Sequence, residues 1–214
     1  LGPNGNANGV DGYANNTPDY WPLIAKVPAS FNRAHNLNVS FAAELPFGEG
    51  KPWATQGLGA AVLGGWQFNG LLTAYSGSPF TVSADSASLN APGNSQIADQ
   101  VKPDVEIVGA RERWFDPTAY APVSGTRFGN SGYNQLRGPG LISMDMSIYR
   151  AFRITERVGL QFRAEMFNVA NTPHFANPGS NVSGSNFGVI TNVANTGREG
   201  IDERLFRLGL RLSF

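Results

Sequence analysis

The residue types that usually carry chemistry are few in this chain, and their spacing does not suit it. Its two histidines, His35 and His174, stand far apart with no carboxylate at ligand spacing beside either, so a histidine-based metal site is not expected. Cysteine is absent, which removes disulfides, thiolate metal ligands and a cysteine nucleophile. No serine stands in the G-x-S-x-G context of a nucleophile elbow. The run GLGAAVLGG at 57–65 lacks the third small residue of a dinucleotide fingerprint and has no strand–helix unit around it, so a small-residue turn is expected there. NGNANGVDGYAN at 4–15 follows the opening of a calcium loop, with Asn4, Asn6, Asn8 and Gly9 in step. It lacks the acidic first ligand and ends on Asn15 where a bidentate Glu is needed, so a glycine-asparagine turn is favoured over calcium. No catalytic residue, metal or cofactor is assigned, and no enzymatic activity is expected.

What the chain does offer is a period of two. Alternation recurs in five segments, at 36–45, 65–75, 141–152, 157–167 and 204–214, while no apolar face of helical spacing persists over three turns. In the first, Leu37, Val39, Phe41, Ala43 and Leu45 oppose Asn36, Asn38, Ser40, Ala42 and Glu44. In the last, Leu208, Leu210, Leu212 and Phe214 oppose Arg207, Gly209, Arg211 and Ser213. The segments have the length of a tilted strand crossing a bilayer, about 9–11 residues, whereas strands of soluble domains average about 5–6. Charge collects on the polar parity: Glu44, Asp145, Arg163, Glu165, Arg207 and Arg211. The turn near Arg153-Ile154-Thr155-Glu156 would bring Asp145 near Arg163 or Glu165. Paired groups facing a wet lumen are the expected reading, because charge facing lipid is expensive at the midplane.

Composition agrees without deciding. Charged residues make up 15% of the 214 residues, against about 25% in ordinary domains. Basic and acidic residues cancel at 16 each, so no basic field points to nucleic acid. No apolar run is long enough for a membrane helix, and LGPNGNANGVDGY is not a signal peptide. A membrane or secreted protein would then start upstream of Leu1.

The connections run long, moderate, long, short, long, the alternation of outer-membrane barrels with their short periplasmic turns. The predicted fold is all-β: an antiparallel up-and-down meander of about five long strands, which pattern and connections together favour as a piece of a transmembrane β-barrel. A polar extracellular loop occupies 1–33 and the barrel segment 34–214, with large extracellular loops at 76–140 and 168–203. The loop aromatics, among them Trp114, Tyr120 and Tyr133, serve either to pin these loops down or to contact a ligand. A soluble sheet with one wet face gives the same alternation, so a secreted β-sandwich or lectin-like module stays open on pattern alone.

Several phrases together are more specific. ELPFGEGKPW, LGGWQFNGLLTAYSGSPFTV, RWFDPTAYAP, FGNSGYNQLRGPGLISMDMSIYRAFRITERVGLQFRAEMFNVANTPHFANP and FGVIT resemble, in order, the C-terminal barrel region of TonB-dependent receptors. The nearest type is the Oar-like group, whose members carry a carboxypeptidase-regulatory-like domain at the N-terminus. The resemblance implies an outer-membrane barrel of about 22 strands with a plug in its lumen, of which the meander is the C-terminal part. It implies nutrient uptake driven through the TonB machinery, with outer-membrane lipid and the rest of the barrel as neighbours. The plug and TonB box are not in these residues, so the chain is expected to be the C-terminal piece of a longer protein or one completed by a partner. The final run is also similar to the signal that the outer-membrane assembly machinery reads, with Arg207, Gly209, Leu212 and Phe214 in its positions. Trp66 and Phe152 are candidates for the interfacial aromatic girdle. The other reading of the same residues is a non-transporting structural or adhesion protein of the outer membrane.

Overall fold

The computed structural model describes residues 27–87, 96–194 and 202–214. The calcium-like stretch 4–15 lies outside the described residues, as does most of 1–33. Five long strands form one sheet: β1 (Asn36–Glu44), β2 (Trp66–Tyr75), β3 (Leu141–Arg153), β4 (Gly159–Phe167) and β5 (Leu205–Ser213). They lie side by side in chain order, a simple meander. Each bound falls within two residues of the alternating segment that predicted it.

The pairings are antiparallel throughout. Leu45 N–H donates to Trp66 O (2.9 Å) at one end of the β1–β2 pair, and Ser76 N–H donates to His35 O (3.0 Å) at the other. Across β2 and β3, Asn69 Nδ2 donates to Ser147 Oγ (3.4 Å) and the Tyr149 hydroxyl to Gln67 Oε1, so one strand's numbers rise as the other's fall. β3, β4 and β5 share one unbroken register, from Met146 opposite Met166 opposite Phe206 to Phe152 opposite Leu160 opposite Leu212.

A short turn and a moderate connection close one end of the meander. Between β3 and β4, Ile154 and Thr155 both donate to Val158 O (2.9 and 3.1 Å), while Thr155 Oγ1 accepts from the Arg157 and Val158 N–H groups. A threonine that bonds its own turn in this way holds a tight reversal. Between β1 and β2, residues 57–65 are not the small-residue turn expected but a helix, α1 (Gly57–Leu63), followed by a turn. Alanine at its centre favours the helix. Gly64 N–H closes it on Ala60 O, and Gly65, at φ 71°, turns the chain into β2 in a conformation that glycine tolerates best.

The chain divides into two compact units, and the boundary at 33/34 does not coincide with them. One, residues 36–74, 142–173 and 195–214, holds the long strands. The other, residues 1–35, 75–141 and 174–194, gathers most of the two large connections. Its strands are short pairs: Pro79–Phe80 with Leu136–Arg137, Ser83–Ala84 with Gln96–Ile97, and Asp99–Gln100 with Tyr120–Ala121. Ile107–Ala110 and Arg113–Phe115 add a bulged hairpin. The second connection is stitched onto the first by backbone bonds, Val182 N–H to Ser83 O (2.9 Å), Trp114 N–H to Gly188 O (2.7 Å) and Ile190 N–H to Arg111 O (2.8 Å). Phe115 sits at the centre, its ring 5.2 Å from that of Phe187 and 6.0 Å from that of Tyr120, both edge-on.

Every buried apolar side chain among the described residues belongs to this loop unit. Among the described residues the sheet has no dry core of its own.

Candidate functional site

The sheet's two faces differ row by row. On one side the register aligns Met146, Met166 and Phe206; Ile148, Ala164 and Leu208; and Phe152, Leu160 and Leu212 across three strands. Leucines 208, 210 and 212 are 76%, 71% and 58% exposed. An apolar band this open is far beyond what a water-facing surface carries singly. β1 and β2 continue it: the rings of Phe41 and Phe68 lie 5.5 Å apart, and a Cβ on Gly70 would meet Phe41 Cζ at 2.2 Å, so the phenylalanine rests on bare backbone.

On the other side the rows are polar. Ser147, Glu165 and Arg207 stand in one row, Tyr149, Arg163 and Gly209 in the next, and Ala151, Gln161 and Arg211 beyond. Arg163 Nη1 reaches Glu165 Oε1 at 3.4 Å along its own strand, and its Cζ lies 5.8 Å from the centre of the Tyr149 ring. Asn69, Asp145, Ser147 and Glu165 line a shallow hollow of about 240 Å³ on this face. Of the two neighbours expected for Asp145, Glu165 lines the same hollow, whereas no pair with Arg163 is formed. The register carries Asp145 beyond the Met146–Met166 pair, and its Oδ1 instead accepts the Asn168 backbone N–H at 2.9 Å where β4 ends. Glu44 pairs with Lys51 of the β1–β2 connection (2.5 Å), an exposed pair that water and salt screen.

The residues at the end of β5 lie as the parity requires. Ser213 pairs with Gly159 beside the β3–β4 turn, and its Oγ donates to Gly159 O at 3.2 Å. Arg207, Gly209 and Arg211 face the polar side, while Leu212 is on the apolar side and Phe214 is 98% exposed just past the strand. At the same rim Trp66 meets Phe152 and Phe162 edge-on, at 6.5 and 5.9 Å. The two aromatics named as interfacial therefore form one cluster.

The loop residues separate. Tyr133 is fully buried and Tyr120 is 6% exposed, so both rings build the core and present no contact surface. Burial alone lifts the Tyr120 hydroxyl to about 12. Trp114 is half-buried, with Nε1 donating to Arg137 O (2.8 Å), and packs against the same core. The unit also holds ion pairs that sequence spacing did not reveal. Arg127 clamps the buried Asp99 with two bonds, at 2.8 and 2.5 Å, and holds its carboxyl below the usual range. Lys102 (2.6 Å) and Thr118 bind Asp116 and bring it down to about 2. His174 is buried and His35 exposed, and no group of three metal-ligating side chains gathers among the described residues.

One further residue was missed. Arg150 sits in the apolar row with Phe162 and Leu210, close to the β3–β4 turn. A cation facing lipid costs about 2–4 kcal/mol at the midplane but only about 0–1 near the interface. Its Cζ lies 4.4 Å from the Phe152 ring and 5.9 Å from the Trp66 ring, and Nη1 donates to Val62 O of α1 at 2.7 Å.

Long antiparallel strands in chain order, with one open apolar face and one polar face, define a wall of a transmembrane β-barrel. The chain belongs to the outer membrane beta barrel domain family, whose model matches residues 2–201. No curated protein and no solved structure matches it. The protein is thus an outer-membrane barrel protein of bacteria, with lipid against its apolar face.

Proposed function

We propose that the chain is part of the barrel of a TonB-dependent transporter of the Oar-like type. Its polar face would surround a plug, and its loop unit would meet a nutrient outside the cell. The observation that carries this reading is the polar face, with Arg163, Glu165, Arg207 and Arg211 set in consecutive rows. Such groups need water or a polar partner inside the lumen, and a plug supplies one. The family-like phrases between residues 31 and 214 point the same way. Five strands cannot close a barrel, so further strands complete the wall.

The test uses the full-length protein with a photo-crosslinking residue at Gln161, on the polar face. A plugged lumen yields an intramolecular crosslink to an upstream segment, and the periplasmic domain of TonB binds the purified protein. Absence of both results overturns the transport reading. The compact loop core around Phe115 favours a second reading, a non-transporting adhesion or structural protein that displays a rigid surface. That reading predicts no TonB binding and loss of surface attachment when the loop unit is disrupted.

A further inference from the structure

Arg150 is a cation on the side of the sheet that meets lipid, and no carboxylate pairs with it among the described residues. It is nevertheless held in place. Phe152 and Trp66 flank the guanidinium, and Val62 O accepts from both Arg150 Nη1 (2.7 Å) and Trp66 Nε1 (2.9 Å). A carbonyl at a helix C-terminus carries only partial negative charge, so it orients the cation without neutralising it. The planar fork has further N–H donors, in the geometry that suits phosphate oxygens. Beside it α1 turns Leu58 (85% exposed), Val62 (62%) and Leu63 (47%) outward, an apolar shelf at the same rim.

We infer that this rim binds the phosphate of a phospholipid headgroup, with Arg150 contacting the phosphate and α1 packing the upper acyl chain. Depth supports it: Arg150 stands three residues before Arg153, the last residue of β3. That is about 10 Å along the strand and, at a tilt near 45°, about 7 Å below the turn, the level of headgroups. Continuity supports it as well, because the row Arg150–Phe162–Leu210 belongs to the band already in contact with lipid. Arginine beside interfacial aromatics has both charge and shape complementarity to an anionic headgroup. The inference rests on the barrel wall alone and is independent of the transport reading.

Native mass spectrometry of the full-length protein in detergent tests it, with palmitoyl-oleoyl phosphatidylglycerol, dioleoylglycerol and inorganic phosphate as probes. The wild type should retain phosphatidylglycerol and shed dioleoylglycerol, and Arg150→Gln should lower phosphatidylglycerol retention about fivefold. Arg150→Lys should keep most of it, and Arg153→Gln, on the opposite parity, should leave it unchanged. Heat-modifiable gel migration reports whether each variant is folded. Should Arg150→Gln fail to fold, Leu58→Ser on the exposed shelf must still weaken retention. Equal retention by Arg150→Gln, or dioleoylglycerol held as firmly as phosphatidylglycerol, overturns the site. Binding of inorganic phosphate without phosphatidylglycerol makes it a free-anion site and overturns the lipid assignment.

Discussion

Gly129 shows how little room the loop unit leaves a single residue. A Cβ there would meet Ile97 O at 2.1 Å and Ala98 O at 2.5 Å, both backbone atoms that cannot swing aside. Its N–H is pinned to Gln96 Oε1 at 3.0 Å, and Gln96 Nε2 in turn holds Arg127 O at 2.8 Å. Gly129→Ala should destabilise the loop unit by about 3 kcal/mol, the upper end for overpacking. Limited proteolysis should then cut within 76–140 while the strands stay protected, and a protected variant would show that the backbone relaxes. Phe214 is the opposite case, 98% exposed with no packing role to lose. If it serves as an assembly address, Phe214→Ser should reduce insertion into the outer membrane while leaving the thermal stability of the inserted fraction unchanged. Normal insertion would remove that role.

Elements carry their information unevenly. The long strands were legible because a period of two survives over a whole membrane crossing, and Leu208 and Arg207 cannot exchange faces without exposing charge to lipid. Leu208→Arg, in the middle of β5, should therefore cost about 2–4 kcal/mol in a refolding titration, whereas Arg211→Gln on the wet face should cost little. Equal effects would mean that the faces are misassigned. Register was not legible, since it depends on where the Thr155 turn closes; Asp145 consequently caps Asn168 and does not meet Arg163. α1 spans only seven residues, too short for a helical period, so 57–65 read as a turn. Arg150 was hidden because its environment is built by that unforeseen helix. The loop core was hidden because paired segments of two residues have no periodicity, and Tyr133 looks the same in sequence whether buried or presented. The ion pairs of this unit make it acid-sensitive. The carboxyls of Asp99 and Asp116 lie below their ordinary range in the fold, and that of Asp116 lies at about 2. They therefore add stability above the unfolded value, about 3.9, and lose it as pH falls through the folded value. Proteolytic protection of 76–140 should drop between about pH 4 and pH 2, and Asp99→Asn with Asp116→Asn should flatten that dependence.

At the scale of the molecule, the two units solve opposite problems. The loop unit packs Phe80, Phe115, Tyr120 and Tyr133 into its own core, while the sheet, among the described residues, leaves its apolar face open. Burying apolar side chains from water contributes about 1.5–3 kcal/mol each, so the band running from Leu37 to Leu212 is a strong drive toward lipid, detergent or self-association. β1 and β5 are also the sheet's edges, with backbone donors and acceptors on their outer sides, which in hydrocarbon must find partners. The 214-residue chain produced alone should therefore sediment as large aggregates in buffer and become monodisperse or a small oligomer only in detergent. Analytical ultracentrifugation with and without detergent reads this directly. Adding Leu208→Gln, Leu210→Gln and Leu212→Gln together should shift the detergent-free sample toward smaller species, because the apolar band and not the loop unit drives assembly. A wild-type chain that sediments as a monomer in plain buffer would mean that its leucines are covered from within, and the barrel-wall assignment of the sheet would have to be abandoned.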